Sequence, residues 1–576
     1  MSASERDIAD SEGWTIAAAL QEQRLMDLTR QLASGVRLSG SEDEQQAFGF
    51  VEAFLKDCGY SVKRWNCEAL VGLPGDASLE ILGEHSFHIP CNSYSMCPST
   101  PEDGLVAELV DAGRGAPSDY KTLNVAGKIV VTRGLAMPSK ARTSDRMGPL
   151  AHIHIDDDAV HEMCLSSVWG TPTPETAAHL PKTPAIGIKR SDGDRLLQVM
   201  RPGKISARVT TNTYRDWREI PVLTADLEGV DSRDFVLFSG HIDSWHFGAM
   251  DNASANAVQL AVAELIAPRA QELRRGLRLA FWSGHSHARY AGSCWYADEN
   301  WQELHDHCVC HVNADSLGAK GANVLGATPT MAETFGFAAE FIRRVTGEDL
   351  EYRRITRSSD QSFWGIGIPS LFTTFSEQEK TGSATEAAHA DLLGGSNRGG
   401  GLGWWWHTPE DTMDKLDAQN LRRDAGVYAA VIWELCSRTV LPFDYSATVR
   451  EMQHALSVRG ANVMDVLGLN RLEEALRLLH ERLVGRTSKE GGGSDSENAK
   501  LIALGRVLIP VNYTVAGPFE QDFALESGAL PGLAGARRLL ELDRASSEYR
   551  FLKTRLIRER NRILAGVCEA IALLEN

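Results

Sequence analysis

The stretch Phe235-Val-Leu-Phe-Ser-Gly-His241-Ile-Asp243-Ser-Trp-His-Phe-Gly-Ala-Met-Asp251-Asn252 sets the imidazole of His241 close to two carboxylates. A neutral histidine offers a nitrogen lone pair, a nearby carboxylate can orient the ring, and a second carboxylate can supply oxygen to the same cation. His241, Asp243 and Asp251 therefore make half of a divalent-metal site. The bland alternative is a strand-end histidine with capping acids. Further donors recur downstream at comparable places: Gly284-His285-Ser286-His287, Cys308-Val-Cys-His-Val-Asn-Ala-Asp315, and Trp404-Trp-Trp-His407-Thr-Pro-Glu-Asp. One such histidine is usually structural. Repetition at successive strand ends favours one shared site.

The elements that must position these residues are legible. Phe235 to His241 is an apolar run rich in β-formers, and Ala253 to Ile266 reads as the helix that follows a Gly-containing turn. Leu277–Ser283, Cys308–Asp315 and Ile368–Phe375 read as further strands, and a Gly-rich mobile stretch, Leu393 to Gly403, precedes His407. Alternating strand and helix over 220–440 predicts an α/β domain with its site at the C-terminal strand ends. Residues 14 to about 64 predict two helices separated at Ser39-Gly-Ser41, with Glu42, Asp43 and Glu44 in the first turn of the second. From Leu70 to Arg215 the pattern is short strands and Gly/Pro turns. After Leu441 it is mostly helical, with Gly491-Gly-Gly-Ser494 as a flexible connection.

Bulk properties exclude several classes. A chain of 576 residues exceeds one core, and two to four domains are expected. A net charge of −18 offers no footprint for nucleic acid or anionic membranes. No uninterrupted apolar run reaches spanning length, and Met1-Ser-Ala-Ser-Glu-Arg-Asp lacks a signal pattern, so the expectation is cytoplasmic. The ten cysteines fit neither zinc nor redox spacing and read as buried reduced thiols. Nothing suggests a nucleotide, flavin or haem.

Taken together, His241-x-Asp243-Ser, Asp251-Asn252, Val312-Asn-Ala-Asp315 and His407-Thr-Pro-Glu-Asp-Thr resemble the co-catalytic zinc aminopeptidase superfamily. Leu441-Pro-Phe-Asp444 and the domain order resemble its glutamate carboxypeptidase and transferrin receptor branch. The resemblance implies a zinc-exopeptidase-like mixed sheet with helices on both faces (1–65 and 220–440), a β-rich protease-associated insert (66–219) over the cleft, and a C-terminal helical domain (441–576). It also implies a homodimer built through that helical domain. His241 and Asp315 would bind one metal, Asp251 would bridge, His407 would bind a second, and Asp243 would orient His241.

One motif departs. Relatives carry an adjacent Glu-Glu pair, general base then ligand, where this chain has Gly284-His285-Ser286-His287. Counting back from Gly292-Ser293 sets Ser286 at the base position and His287 at the ligand position; counting forward from the strand sets His285 first. The expectation is His287 as ligand and His285 as proton-transfer group, with the reverse open. One or two divalent ions are expected, zinc first, with iron, manganese, cobalt or nickel as alternatives. Three readings compete: a metal-dependent hydrolase of an amide-like C–N bond in a specialised small substrate, a conventional metallo-exopeptidase acting on short peptides, and a non-catalytic binding relative. Lesser candidates are Ser359-Asp360 near the cleft, Trp404 to Trp406 as an aromatic wall, and Arg289 as a carboxylate anchor or a salt-bridge partner. His246, His305, His307, His311 and His389 are unassigned.

Overall fold

The computed structural model describes residues 12–84, 86–326, 328–383, 386–387, 399–486 and 494–575. His389, most of the Gly-rich stretch before Gly399, Gly491 to Gly493 and the N-terminal segment that bears on a leader lie outside the described residues.

In chain order the strands are β1 (Ser61–Leu82), β2 (Phe87–Ile89), β3 (Asn92–Ser93), β4 (Leu105–Asp111), β5 (Ile129–Arg133), β6 (Ala151–Ile155), β7 (Ala185–Ile188), β8 (Ser206–Leu227), β9 (Phe235–His241), β10 (Gly276–Trp282), β11 (Cys308–Asn313) and β12 (Ser370–Leu371). They join in one mixed sheet ordered β12-β11-β9-β10-β8-β4-β5-β6-β7-β3, with β1 paired to β8 and β2 to β1 off that path. Every residue of β9, β10 and β11 is buried. That is why these parallel strands read as continuous apolar runs rather than alternations.

The α/β core and the expected insert share this sheet through β8, which pairs with β4 at its N-terminal end and with β10 at its C-terminal end, on the edge away from β1. β1 and β8, each 22 residues long, run antiparallel through pairs such as Trp65 with Val222 and Cys67 with Ile220. The expected boundaries at 65/66 and 219/220 thus fall inside two unbroken strands. A ladder that keeps its hydrogen bonds across both regions leaves no linker for composition to mark.

Among the described residues the N-terminal part has three helices, Glu12–Ala19, Glu22–Leu32 and Glu42–Asp57, instead of two, and residues 61–64 already belong to β1. The Ser41 hydroxyl accepts from Glu44 N to cap the third helix, which ends before the left-handed Gly59. Ile368–Phe375 yields a strand only over Ser370–Leu371. Pro369 has no N–H to give a ladder, and Phe372 turns out of the strand at φ 65. The helix expected from Ala253 is regular from Ala255 to Ile266, after a π-type turn over Ala249–Ser254.

Beyond Leu441 the helices Tyr445–Ser457, Ala461–Leu467, Asn470–Arg486, Ser494–Tyr513 and Ser547–Glu575 pack on one another and on the core cluster. All ten cysteines are free thiols, mostly buried. Among the described residues no helix is long and apolar enough to cross a membrane.

Candidate active site

β9 delivers His241 to its end, where the ring is locked. Nδ1–H donates to the Asp243 carbonyl at 2.9 Å, which leaves the lone pair on Nε2. That nitrogen lies 3.1 Å from Asp251 Oδ1 and 3.8 Å from Asp315 Oδ1. His241 Nε2 and Asp251 Oδ1 are both buried without a hydrogen-bond partner. Burial opposes a charge on His241, but Asp243, Asp251 and Asp315 outweigh it and raise the imidazole well above its ordinary value. Burial likewise works against ionised Asp251, and His241 with His407 overcomes it, holding the carboxyl far below the usual range.

The turn after β9 is pinned from a distance. Met250 N and Asp251 N donate to the Asp411 carboxylate at 2.9 and 3.0 Å, and burial pushes Asp411 up to about 7. Asn252 donates to the Ala314 carbonyl and accepts from Ser316 N, tying the Asp251 turn to the end of β11. Asp315 accepts from Ser316 Oγ and from Ser359 Oγ at 2.7 Å. His407 sits at a left-handed φ of 58, donates from Nδ1 to the Glu162 carbonyl at 2.6 Å, and aims Nε2 at Asp251 Oδ2 from 3.0 Å. His241, Asp251, Asp315 and His407, far apart in sequence, thus form one connected cluster.

The two histidines of the altered segment go separate ways. His285 lines the cavity and stacks on His241 with centroids 3.6 Å apart and planes 12° from parallel. Its Nδ1 is 2.9 Å from Oδ2 of the fully buried Asp360, so a neutral ring keeps its lone pair on Nε2. His287 is turned away from the cavity. Its Nδ1 faces Ser39, 3.3 Å from the backbone nitrogen of a residue whose hydroxyl donates to Asp243 Oδ2. The same hydroxyl oxygen, its proton given away, lies 2.9 Å from His287 Nδ1; His287 Nε2 is buried without a hydrogen-bond partner, and the ring packs edge-on against Trp245 at 4.4 Å.

His241, His285 and Asp315 place ligand-type atoms within 4.8 Å of one another. Distance alone admits all three to one cation, but direction does not. An imidazole binds a metal in the plane of its ring, and stacked, nearly parallel rings cannot both hold the same ion in plane. His241 with Asp251 and Asp315 can hold a divalent cation; His285 stands beside it. The orphaned Nε2 and Oδ1 fit such an ion, since each is buried where nothing else satisfies it.

Asp243 is the hub beneath these groups. It accepts from Ser39 Oγ, Ser286 N and His285 N, which orients the altered segment as much as it orients His241. Ser286 lines the cavity but offers no carboxylate. Of the tryptophans, Trp406 lines the cavity and stacks on His407 at 3.5 Å, Trp405 packs into the core, and Trp404 is half exposed. His311 is buried in β11 against Ser239, and His305 and His307 lie apart from the cluster beside Asp306 and Asp234. His246 flanks Glu162 at 4.0 Å.

The cavity over the cluster holds about 90 Å³, room for a few heavy atoms, and opens beside one of about 560 Å³. The two share Met163, Arg289, Tyr290 and Ser358. The larger one is lined by Arg114, Lys140, Arg142, Arg146, Arg289 and Arg357, against one acid, Glu526. Arg289 donates to the Cys164 and Ser166 carbonyls and makes no ion pair among the described residues, so its salt-bridge reading is not met. Glu162, Trp245, Asp411 and Ser39 escaped sequence reasoning. Only Trp245 and Asp411 carried a signal, by standing two and four residues beyond Asp243 and His407.

Residues 223–432 match Peptidase family M28. The chain is 24% identical to "Probable glutamate carboxypeptidase VP8" of Zea mays, over 75% of this chain and 69% of that one. It is also 24% identical to "Aminopeptidase YwaD" of Bacillus subtilis, over 71% and 83%. Among solved structures it is similar to a peptidase M28 precursor from Shewanella amazonensis (20% identity, 75% of this chain and 98% of that one, TM-score 0.58). An aminopeptidase from Aneurinibacillus sp. strain AM-1 shares the fold at 22% identity, 74% and 96% coverage, and a TM-score of 0.55. This chain carries a peptidase family M28 domain, homologous to glutamate carboxypeptidases and zinc aminopeptidases.

Proposed function

We propose that the protein is a metal-dependent exopeptidase acting on short peptides. The observation that carries this reading is the buried, mutually facing and unpartnered pair His241 Nε2 and Asp251 Oδ1 within an M28 domain. His241, Asp251 and Asp315 are the residues that would hold a divalent cation, zinc in the first instance. When bound there, such an ion polarises the scissile carbonyl and makes water more acidic. His285 Nε2 takes the proton from the attacking water and passes it to the leaving amine, while Asp360 holds Nδ1–H and stabilises the imidazolium. Asp243 fixes the tautomer of His241 through its carbonyl and the His285 backbone through its carboxylate.

The small cavity accepts the groups around the scissile bond and excludes bulk, which suits cleavage at a chain end. The six cationic side chains of the adjoining cavity suit a peptide portion carrying carboxylate. The test is a panel of peptides with free or blocked ends, products identified by mass spectrometry, with and without a chelator. Terminal residues released only in the metal-loaded state support the reading. Internal cleavage, or activity indifferent to chelation, refutes it. A second reading, hydrolysis of a specialised small amide, is favoured by the histidine–aspartate pair standing where a single carboxylate base is expected. Simple amides in the same panel separate the two. We further propose a homodimer formed through the helical region after Leu441.

A further inference from the structure

We infer that Arg37 is a positioning residue of the cation site: its guanidinium holds the loop from His241 to Asp251 in the shape that makes the two face each other. This rests on the metal-dependent reading above. It adds a residue from the N-terminal segment, outside the region 223–432 that matches the family.

Arg37 is fully buried in the turn between the second and third helices. Its planar fork spans the loop that follows β9. Nε–H donates to the Ile242 carbonyl at 2.8 Å, Nη1–H to that of Phe247 at 2.8 Å, and Nη2–H to that of Gly248 at 3.0 Å. Nη1 also reaches the carbonyls of Leu32 at 2.9 Å and Gly35 at 3.2 Å, which anchors the fork in its own segment. Carbonyls from both limbs of the loop thus converge on one side chain.

The main chain of Arg37 completes the grip. Its carbonyl accepts from Ser244 N at 2.8 Å, and its N–H donates to Ser244 Oγ at 3.3 Å. Nε and the carbonyl therefore fix the peptide planes on either side of Asp243. The second of those planes carries the Asp243 carbonyl, the acceptor of His241 Nδ1–H. Turning it would release the proton whose place keeps the His241 lone pair on Nε2. At the other end of the loop Asp411 holds the Met250 and Asp251 amides, so Arg37 and Asp411 together set where the ligands stand.

A buried cation needs compensation. Here the carbonyl dipoles supply it, together with the field of Asp411, Asp243, Asp251 and Glu44. Lysine cannot replace this arrangement, because an ammonium gathers its donors on one atom where the guanidinium spreads them along a fork. Arg275 offers the matching control. It is also buried and donates to the carbonyls of Leu435, Arg438 and Thr439, none of which belongs to the site.

The test uses the full-length protein as wild type, Arg37→Lys, Arg37→Ala and Arg275→Lys, each checked for folding by circular dichroism. Zinc affinity is measured by competition with a chromophoric chelator, and the cobalt(II) form by visible absorption. Arg37→Lys should bind zinc about 10–100-fold more weakly, the usual cost of losing a group that orients a ligand, with a shifted cobalt(II) spectrum. Arg37→Ala should recover affinity when guanidinium ion is added at low concentration. Arg275→Lys should bind zinc as the wild type does, even where its melting temperature falls. Wild-type zinc affinity in a folded Arg37→Lys overturns the inference, and so does equal weakening in Arg275→Lys. If neither Arg37 variant folds, the residue serves the fold rather than the site, and the inference is overturned as well. A wild type that binds no zinc overturns the metal-dependent reading itself.

Discussion

Asp360→Asn is the most informative perturbation of the proposed chemistry. Asp360 is fully buried, and its Oδ2 sits 2.9 Å from His285 Nδ1. As a carboxylate it can only accept, which forces the His285 proton onto Nδ1 and leaves Nε2 free for the cavity. An asparagine amide can instead donate to Nδ1. The ring then places its proton on Nε2, and the base is lost without moving an atom of the backbone. Nothing in the cation cluster contacts Asp360 directly, so bound metal and KM should hold. General-base catalysis contributes roughly 10²–10⁴-fold, so kcat should fall by that factor, about 2.7–5.5 kcal/mol in the barrier. The assay is initial-rate kinetics across pH on a peptide cleaved by the wild type, with metal content measured on the same samples. A kcat within a few-fold of wild type and a pH profile of unchanged shape would show that His285 does not transfer the proton.

Stability should depend on pH through Glu333, a buried helix residue whose carboxyl burial pushes up from 4.5 to about 7. The folded state holds that proton more tightly, so stability present below pH 4.5 is lost as pH rises toward 7 and then levels off. The loss is about 3 kcal/mol; in Glu333→Gln, denaturant melts should lack that part of the slope, and an identical slope would refute the assignment. Arg357→Ala removes a buried guanidinium with no carboxylate partner among the described residues. It should raise KM for carboxylate-bearing peptides about tenfold or more, as loss of a charged hydrogen bond does, while neutral analogues change little; equal effects on both would refute anionic recognition. Light scattering at micromolar concentration should return the mass of a dimer, and a monomer would remove the assembly proposal.

The local pattern of the sequence determined the main strands of the core and the residues of the cation cluster. Apolar runs of β-formers ending in His241, before Ser283 and near Asp315 need only local periodicity to be read. The resemblance carried by the spaced motifs then brought His407 to the same place. The expected insert boundaries left no such local mark, because β1 and β8 pair with each other across both of them.

What the tertiary structure decided is which nitrogen of each imidazole is free. Ser39 faces Nδ1 of His287, Asp360 that of His285, and the Glu162 carbonyl that of His407. These partners stand 248, 75 and 245 residues from the rings they orient. A tautomer is set by whatever donor or acceptor happens to face Nδ1, and contacts of that range leave no trace in the spacing of neighbours. Residue types therefore told where a cation could bind, whereas single long-range hydrogen bonds decide which nitrogen each ring presents.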